Sequence, residues 1–125
     1  MYKKLPTICV VDDEPSVCRA LRRLMMSAGF NVVTYGSARA FLEDGRAETP
    51  DLLILDVRMP GMNGLDLQHH LAAIGSATPI VFISAHEENM VRVNAMGAGA
   101  AAFFQKPVDE ADLLGAIHEI LGIDP

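Results

Sequence analysis

The sequence has 125 residues, half of them hydrophobic, and a formal net charge of -6. This length suits one compact domain, and its short, interrupted apolar stretches fall below the roughly 20 residues that a membrane-spanning helix needs. The ten Lys and Arg residues are scattered along the chain rather than gathered on one element, which argues against nucleic-acid binding by this domain.

The cysteines and the N-terminus favour a cytoplasmic protein. Cys9 lies in an apolar run and Cys18 in a helical pattern, so neither belongs to a Cys-x-x-Cys pair and both are expected to be small buried hydrophobic residues. The apolar run near the N-terminus is about five residues long and too short for a secretory signal. We therefore expect a reducing compartment.

In the first half of the chain, two apolar runs and two helical patterns alternate. The runs Thr7–Val11 and Asn31–Tyr35 have the length and composition of buried strands. Between them, apolar residues recur at the spacing of one helix face, and Gly29 is expected to end this helix. Ser37 is a suitable cap for a second helix. The helix-face residues are Val17, Leu21, Leu24, Met25 and Ala28.

The second half of the chain repeats this alternation. Strands are predicted at 52–55, 80–83 and 101–104, and a helix is expected after Gly64. A fourth helix is predicted at about 87–98, with an apolar side formed by Met90 or Val91, Val93 and Ala95. A fifth helix is capped by Asp109. Alternating strands and helices indicate an α/β fold with a parallel sheet, and residues 1–125 are predicted to form one domain.

Polar residues follow four of the five predicted strands. Parallel strands end at the same edge of a sheet, where α/β proteins place their functional groups. Taken singly, each residue could be a helix cap, a turn residue or a solvated side chain. Their order along the sheet favours a shared site, composed of Asp12 and Asp13 after strand 1, Asp56 after strand 3, Ser84 after strand 4 and Lys106 after strand 5.

This set of side chains suits phosphoryl transfer. Neighbouring carboxylates repel one another by about 4 kcal/mol at 4 Å and an effective dielectric near 20, so the cluster needs a cation. Mg2+ is expected, because it prefers hard oxygen ligands and often combines one or two carboxylates with a phosphate. Asp56 can then act as the nucleophile, while Lys106 and the Ser84 hydroxyl contact the transferred group.

Four segments together resemble the response-regulator receiver family of two-component systems, and the resemblance covers essentially the whole chain. They are VVDDE at 10–14, LILDVRMPGMNG at 53–64, SA at 84–85 and FFQKP at 103–107. The sequence is most similar to receivers of LuxR-type, nitrogen-fixation-type transcription regulators. The resemblance implies a flavodoxin-like three-layer sandwich, (βα)5, with a five-stranded parallel sheet of order 2-1-3-4-5.

The resemblance also implies a role for each site residue. Asp56 is the phosphoacceptor and, with Asp13, a direct metal ligand; Asp12 binds the metal through water. The remaining roles are the Arg58 backbone carbonyl as a metal ligand, Ser84, Ala85 and Lys106 at the phosphoryl group, Ser84 and Phe103 as the switch, and a cis peptide before Pro107. The expected protein is a signalling module that catalyses only its own aspartyl phosphorylation and slow dephosphorylation.

The expected partners are a histidine kinase or phosphotransfer protein and an effector, with a possible phosphorylation-dependent homodimer. Several alternatives stay open at this point. An aspartate-nucleophile phosphatase of the haloacid-dehalogenase type would want Asp-x-Asp after strand 1, and a flavodoxin-like ligand domain would want a Ser/Thr/Gly-rich loop there. A receiver that works without phosphorylation would keep the fold. The chain could be a standalone regulator or an excised N-terminal domain.

Overall fold

A computed structural model describes residues 5–44, 49–85 and 89–124, which form five strands and five helices in strict alternation. In chain order they are β1 (Thr7–Val11), α1 (Pro15–Ser27), β2 (Asn31–Tyr35), α2 (Ala38–Glu43), β3 (Leu52–Asp56), α3 (Gly64–Ala73), β4 (Ile80–Ser84), α4 (Asn89–Gly97), β5 (Ala102–Gln105) and α5 (Glu110–Leu121). All neighbouring strands are parallel, in the order β2-β1-β3-β4-β5. The predicted fold class and strand order are confirmed.

The strands match the predicted ranges closely, and the differences all lie at their ends. The first two have the predicted bounds, whereas β3 and β4 each continue by one polar residue and β5 is displaced by one. The cause is pairing with the next strand, since Asp56 stands opposite Ile83 and Ser84 opposite Gln105. The two polar side chains are therefore held by the sheet itself and not by a loop.

Two apolar layers cover the faces of the sheet. Because side chains alternate along a strand, Ile8 and Val10 point to one layer, while Cys9 and Val11 point to the other. The first layer is completed by α1 and α5, and the second by α2, α3 and α4. The helix residues buried there are Leu21, Met25, Leu113 and Ile117 on the first face, and Ala38, Leu67, Leu71 and Ala95 on the second. The three-layer arrangement is thus confirmed.

The predicted helix boundaries have the expected local causes. The Ser37 side chain accepts a hydrogen bond from the Ala40 N–H at 3.0 Å, and the Asp109 side chain accepts one from the Asp112 N–H at 2.9 Å. Gly29 ends the first helix with a φ of 90°, a conformation that favours glycine. For α3, the cap is Asn63, which forms a capping box with Asp66.

Helix α4 departs from its predicted apolar side. Val91 and Ala95, four residues apart, pack against the second layer, but Val93 is 61% exposed and Met90 is 69% exposed. The prediction for Val93 was wrong, because a residue two positions from Val91 points to nearly the opposite side of a helix. The predicted start near 87 falls on residues 86–88, outside the described residues.

Two further expectations concern Cys18 and membranes. Cys9 is buried as expected, but Cys18 is only half-buried, and its thiol donates to the Asp12 carbonyl at 3.3 Å. Its side chain therefore lies beside the end of β1, where it packs against the edge of the first apolar layer. Within the described parts of the chain, none of the helices has the length and apolar character needed to cross a membrane.

Candidate functional site

Three carboxylates meet at the carboxyl edge of the sheet. Asp12 and Asp13 follow β1, Asp56 ends β3, and these strands are neighbours. One oxygen from each residue lies within 4.8 Å of the others. Asp12 and Asp56 are buried, whereas Asp13 is exposed. The predicted acidic cluster therefore exists, with two buried carboxyl groups and one exposed carboxyl group.

Helix α3 begins against the backbone of this cluster. The Gly64 N–H donates to the Val57 carbonyl at 2.8 Å, which brings the helix start next to the end of β3. A Cβ atom at Gly64 would collide with the backbone carbonyl oxygen of Asp56. Only glycine permits this approach, so Gly64 helps to fix the position of Asp56.

Lys106 brings a single ammonium group into the acidic cluster. Its Nζ lies 2.9 Å from Asp12 Oδ2 and 3.6 Å from Asp56 Oδ1. The backbone N–H of Lys106 donates to the Ser84 carbonyl at 2.7 Å, which fixes the segment to β4. The Lys106–Pro107 peptide is cis, as the sequence resemblance implied. Lys106 therefore contacts residues at the carboxyl ends of three strands, β1, β3 and β4.

The carboxylates of the cluster outnumber its ammonium group, and the pKa values of Asp56 and Lys106 are shifted. Burial, followed by the charge of Asp12, raises the pKa of Asp56 from 3.8 to about 6, although Lys106 acts in the opposite direction. Burial lowers the pKa of Lys106, but the carboxylates of Asp12, Asp56 and Glu14 outweigh it, and the pKa of Lys106 is raised. One ammonium therefore does not neutralise the pocket.

The donor set fits a hard divalent cation. Asp12 Oδ1 accepts the Glu14 N–H at 2.9 Å, but the buried Oδ2 has no hydrogen-bond partner among the described residues. The Lys106 ammonium forms an ion pair with this oxygen at 2.9 Å. Three carboxylates whose ligand oxygens lie within 4.8 Å of one another supply the hard oxygen ligands that Mg2+ prefers. The acidic pocket can therefore bind a metal.

The other predicted site residues lie at or near the same edge. Ser84 is buried at the end of β4 and Ala85 follows it at the surface. Arg58 is exposed, two residues beyond β3. Phe103 is half-buried on β5, with its ring centroid 6.0 Å from that of Phe82. Their roles as metal ligand, phosphoryl contacts and switch stay predictions.

The structure adds two side chains that sequence reasoning missed. Glu14 Oε1 lies 3.2 Å from Lys106 Nζ, and the Arg92 guanidinium carbon lies 5.9 Å from the centroid of the Phe103 ring. Glu14 stands directly after the two aspartates, so its place near the site could be expected. Its contact with Lys106 could not, because the two residues are 92 positions apart.

Comparisons with known proteins agree with this geometry. The family model described as "Response regulator receiver domain" matches residues 8–118. The chain is 48% identical over 118 residues to response regulator protein TmoT of Ectopseudomonas mendocina, covering 94% of this chain and 54% of TmoT. It is 37% identical over 122 residues to transcriptional regulatory protein FixJ of Azorhizobium caulinodans, covering 98% and 57% of the two chains.

Solved structures lead to the same conclusion. A response regulator receiver protein from Burkholderia phymatum has a TM-score of 0.84 and 43% identity, covering 95% of this chain and 97% of that one. An α/β domain with an acidic pocket and a lysine at the carboxyl edge of its sheet is thus a receiver in architecture. The chain belongs to the response regulator receiver domain family.

Family membership confirms the resemblance stated from the sequence, including its likeness to nitrogen-fixation-type regulators. The chain is a receiver domain of a signalling response regulator. It spans about half the length of the curated relatives that it matches. What the remainder of those proteins does is therefore a separate question from the role of this domain.

Proposed function

We propose that this domain accepts a phosphoryl group on Asp56 in a Mg2+-dependent reaction, from a histidine kinase or a histidine phosphotransfer protein. The observation that carries the proposal is the ammonium of Lys106, 3.6 Å from Asp56 Oδ1 and inside a cluster of three carboxylates. A nucleophilic carboxylate, a cation and a candidate metal site are the components that phosphoryl transfer needs.

The proposed transfer is a nucleophilic displacement at phosphorus. An oxygen of the Asp56 carboxylate forms a bond to phosphorus, while the bond from phosphorus to the donor's histidine nitrogen breaks. The imidazole leaves with the electron pair of that bond and takes a proton from water. Lys106 and the Ser84 hydroxyl contact the phosphoryl oxygens, and exposed Ala85 leaves the acceptor accessible. Slow hydrolysis of the same acyl phosphate returns the domain to its resting state.

The metal site in this proposal uses the oxygen ligands of Asp12, Asp13 and Asp56 together with the Arg58 backbone carbonyl. Bound Mg2+ would supply positive charge beside the phosphoryl oxygens. The chain's own contribution is to hold the carboxylates together and to place Lys106 beside them from the segment that follows β5. The convergence of the three carboxylates, with ligand oxygens within 4.8 Å of one another, supports this assignment.

The proposed output is a change in the surface formed by α4, β5 and α5. Ser84 ends β4, and Phe103 lies on the adjacent strand, so movement of the serine toward a phosphoryl oxygen affects the space available to the Phe103 ring. Helix α4 exposes Met90, Val93 and Met96, an apolar surface suited to an effector or to a second copy of the chain.

The cellular setting follows from the same proposal. Residues 1–125 form one receiver domain, and the protein works in the cytoplasm, where kinases and regulators of this kind meet. FixJ is a transcriptional regulator by name. We propose that any contact with nucleic acid belongs to an effector and not to this domain, whose net charge is -6.

The test is intact-mass measurement after incubation with Mg2+ and a small acyl phosphate. The wild type should gain one phosphate, and Asp56→Asn should gain none while keeping its fold. Asp51→Asn is a matched control, because Asp51 is an exposed aspartate just before β3, and its side chain accepts the Thr7 N–H at 2.8 Å, away from the acidic cluster. An adduct that persists in Asp56→Asn would place the acceptor elsewhere. A wild type without an adduct would favour a receiver that works unphosphorylated.

A further inference from the structure

Lys106 is shared among three carboxylates, and only two of them belong to the candidate metal cluster. Its Nζ lies 2.9 Å from Asp12, 3.6 Å from Asp56 and 3.2 Å from Glu14. In the proposed function, Asp12 and Asp56 serve metal binding and phosphoryl acceptance, and their ligand oxygens lie together with that of Asp13. Glu14 has neither, yet it binds the same ammonium group.

Helix capping does not explain Glu14. It occupies the N-cap position of α1, where Ser, Thr, Asp or Asn usually accepts a backbone hydrogen bond. Its side chain makes no capping hydrogen bond and instead extends to Lys106. The pair connects the start of α1 with the segment after β5, and the Glu14 side chain is 54% exposed, whereas that of Lys106 is 14% exposed.

We propose that Glu14 is a positioning residue that competes with the phosphoryl group for Lys106; this inference rests on the proposed function. The Lys106 ammonium is a single positive charge with three donors. A phosphoryl group on Asp56 brings about two negative charges and requires those donors. Each contact that Lys106 keeps with Glu14 is unavailable to the phosphoryl oxygens, so the glutamate weakens the phosphorylated state and its analogues.

The effect should be modest and sensitive to salt. Ion pairs at partly exposed sites contribute little, so removing the Glu14 charge should strengthen binding of a phosphoryl analogue by about two- to fivefold. An exposed pair is also screened, and at about 1 M salt the Debye length falls to about 3 Å. The advantage of the variant should therefore shrink as salt rises, which a purely structural role for Glu14 would not produce.

The experiment compares Glu14→Gln with Glu110→Gln in the intact chain. Both variants lose one negative charge from the same groove beside Lys106, but no ion pair joins Glu110 to Lys106. Beryllofluoride, whose fluorides stand in for phosphoryl oxygens, is titrated at fixed Mg2+ and followed by fluorine NMR at low and high salt. Thermal midpoints verify that both variants fold.

Tighter beryllofluoride binding in Glu14→Gln alone, with a difference that decreases at high salt, is the expected result. Equal affinities of the wild type and Glu14→Gln would overturn the competition, and so would equal gains in both variants, because a general field effect would then suffice. A wild type that binds no analogue and gains no phosphate on Asp56 would overturn the proposed function and this inference together.

Discussion

The acidic pocket and helix α4 lie on neighbouring parts of the molecule but are held in different ways. The pocket rests on buried Asp12 and Asp56, on two paired strands and on the close approach of Gly64. Helix α4 has nine residues, of which Ala95 alone is buried within the part of the helix that the structure describes. Two of its apolar side chains, Met90 and Val93, are more than half exposed.

This difference suits the two regions to different roles, the pocket to phosphoryl transfer and helix α4 to the change in surface that follows it. Phosphoryl transfer depends on groups held in fixed positions, which the sheet and the packed helix start provide. A surface that changes with phosphorylation must be stabilised weakly enough for one new contact to alter it. We therefore expect perturbations of the pocket to change global stability, and perturbations of α4 to change local stability.

The largest effect is expected at Gly64. Gly64→Ala should lower the free energy of unfolding by about 3 kcal/mol, because the new methyl group overlaps the Asp56 carbonyl and the backbone must move. Denaturant unfolding measures this. Gly115→Ala is the control: its Cβ meets nothing within 4 Å inside α5, and the change should stabilise by about 0.5 to 1 kcal/mol. If Gly64→Ala and the wild type had equal free energies of unfolding, the pocket would be less rigid than proposed.

Magnesium should act on the pocket next. At 100 times its dissociation constant, a ligand that binds only the folded state adds about 2.7 kcal/mol. Thermal unfolding with and without Mg2+ should show this gain in the wild type and in Asp51→Asn, and most of it should disappear in Asp13→Asn. If saturating Mg2+ does not change the thermal midpoint of the wild type, the metal must be removed from the proposed mechanism.

The charge of Asp56 should make the metal-free protein less stable at neutral pH than at acidic pH. Burial, then the charge of Asp12, raises its folded-state pKa to about 6, above the ordinary value of 3.8. The stability that its neutral form contributes is therefore complete below about pH 3.8 and is lost as pH rises through 6. The free energy of unfolding of Asp56→Asn should exceed that of the wild type by about 3 kcal/mol at pH 8.

That advantage should decrease as the pH falls through 6 and should be lost only below about pH 3.8, where the wild-type carboxyl group is protonated in both states. Chemical unfolding in a chelator at several pH values measures it, with Asp51→Asn as the control for losing an exposed aspartate. A difference between Asp56→Asn and the wild type that stays constant with pH would show that the Asp56 charge is compensated in the resting protein.

Much of this site could be predicted because parallel strands end together. The alternation of apolar runs predicted five strands, and the residues after them, such as Asp56 and Lys106, had to meet at one edge. Their order along the sheet carried the prediction, not any single motif. The predicted strand ends were wrong by one residue where a polar residue still pairs with the neighbouring strand through its backbone, as Ser84 does.

Other contacts have no signal in the local pattern. The Glu14–Lys106 pair depends on how α1 begins relative to β5, and the Gly64 contact depends on the path between β3 and α3. The exposed side of α4 was also misjudged, since Val93 and Val91 are alike in sequence and differ only in the direction that they face. Long-range geometry decided each of these cases.

The smallest expected effect is a local one, at the bond that ties α4 to α3. Gln68 is 3% exposed, and its side-chain N–H donates to the Ala95 carbonyl at 2.9 Å; the same carbonyl accepts the Ala100 N–H. Gln68 Oε1 has no hydrogen-bond partner among the described residues. Gln68→Leu removes the bond and the unpaired oxygen together, so the two effects on global stability should nearly cancel.

Local stability should respond differently, because only the lost bond acts on α4. A hydrogen bond contributes about 1 kcal/mol, so amides in 89–97 should exchange about fivefold faster in Gln68→Leu, while those in 64–73 stay unchanged. Hydrogen-exchange mass spectrometry measures both segments, with His69→Leu as an exposed control on the same helix. If both variants exchange alike, α4 is held by packing alone, and its contrast with the acidic pocket then lies in how little apolar surface it buries.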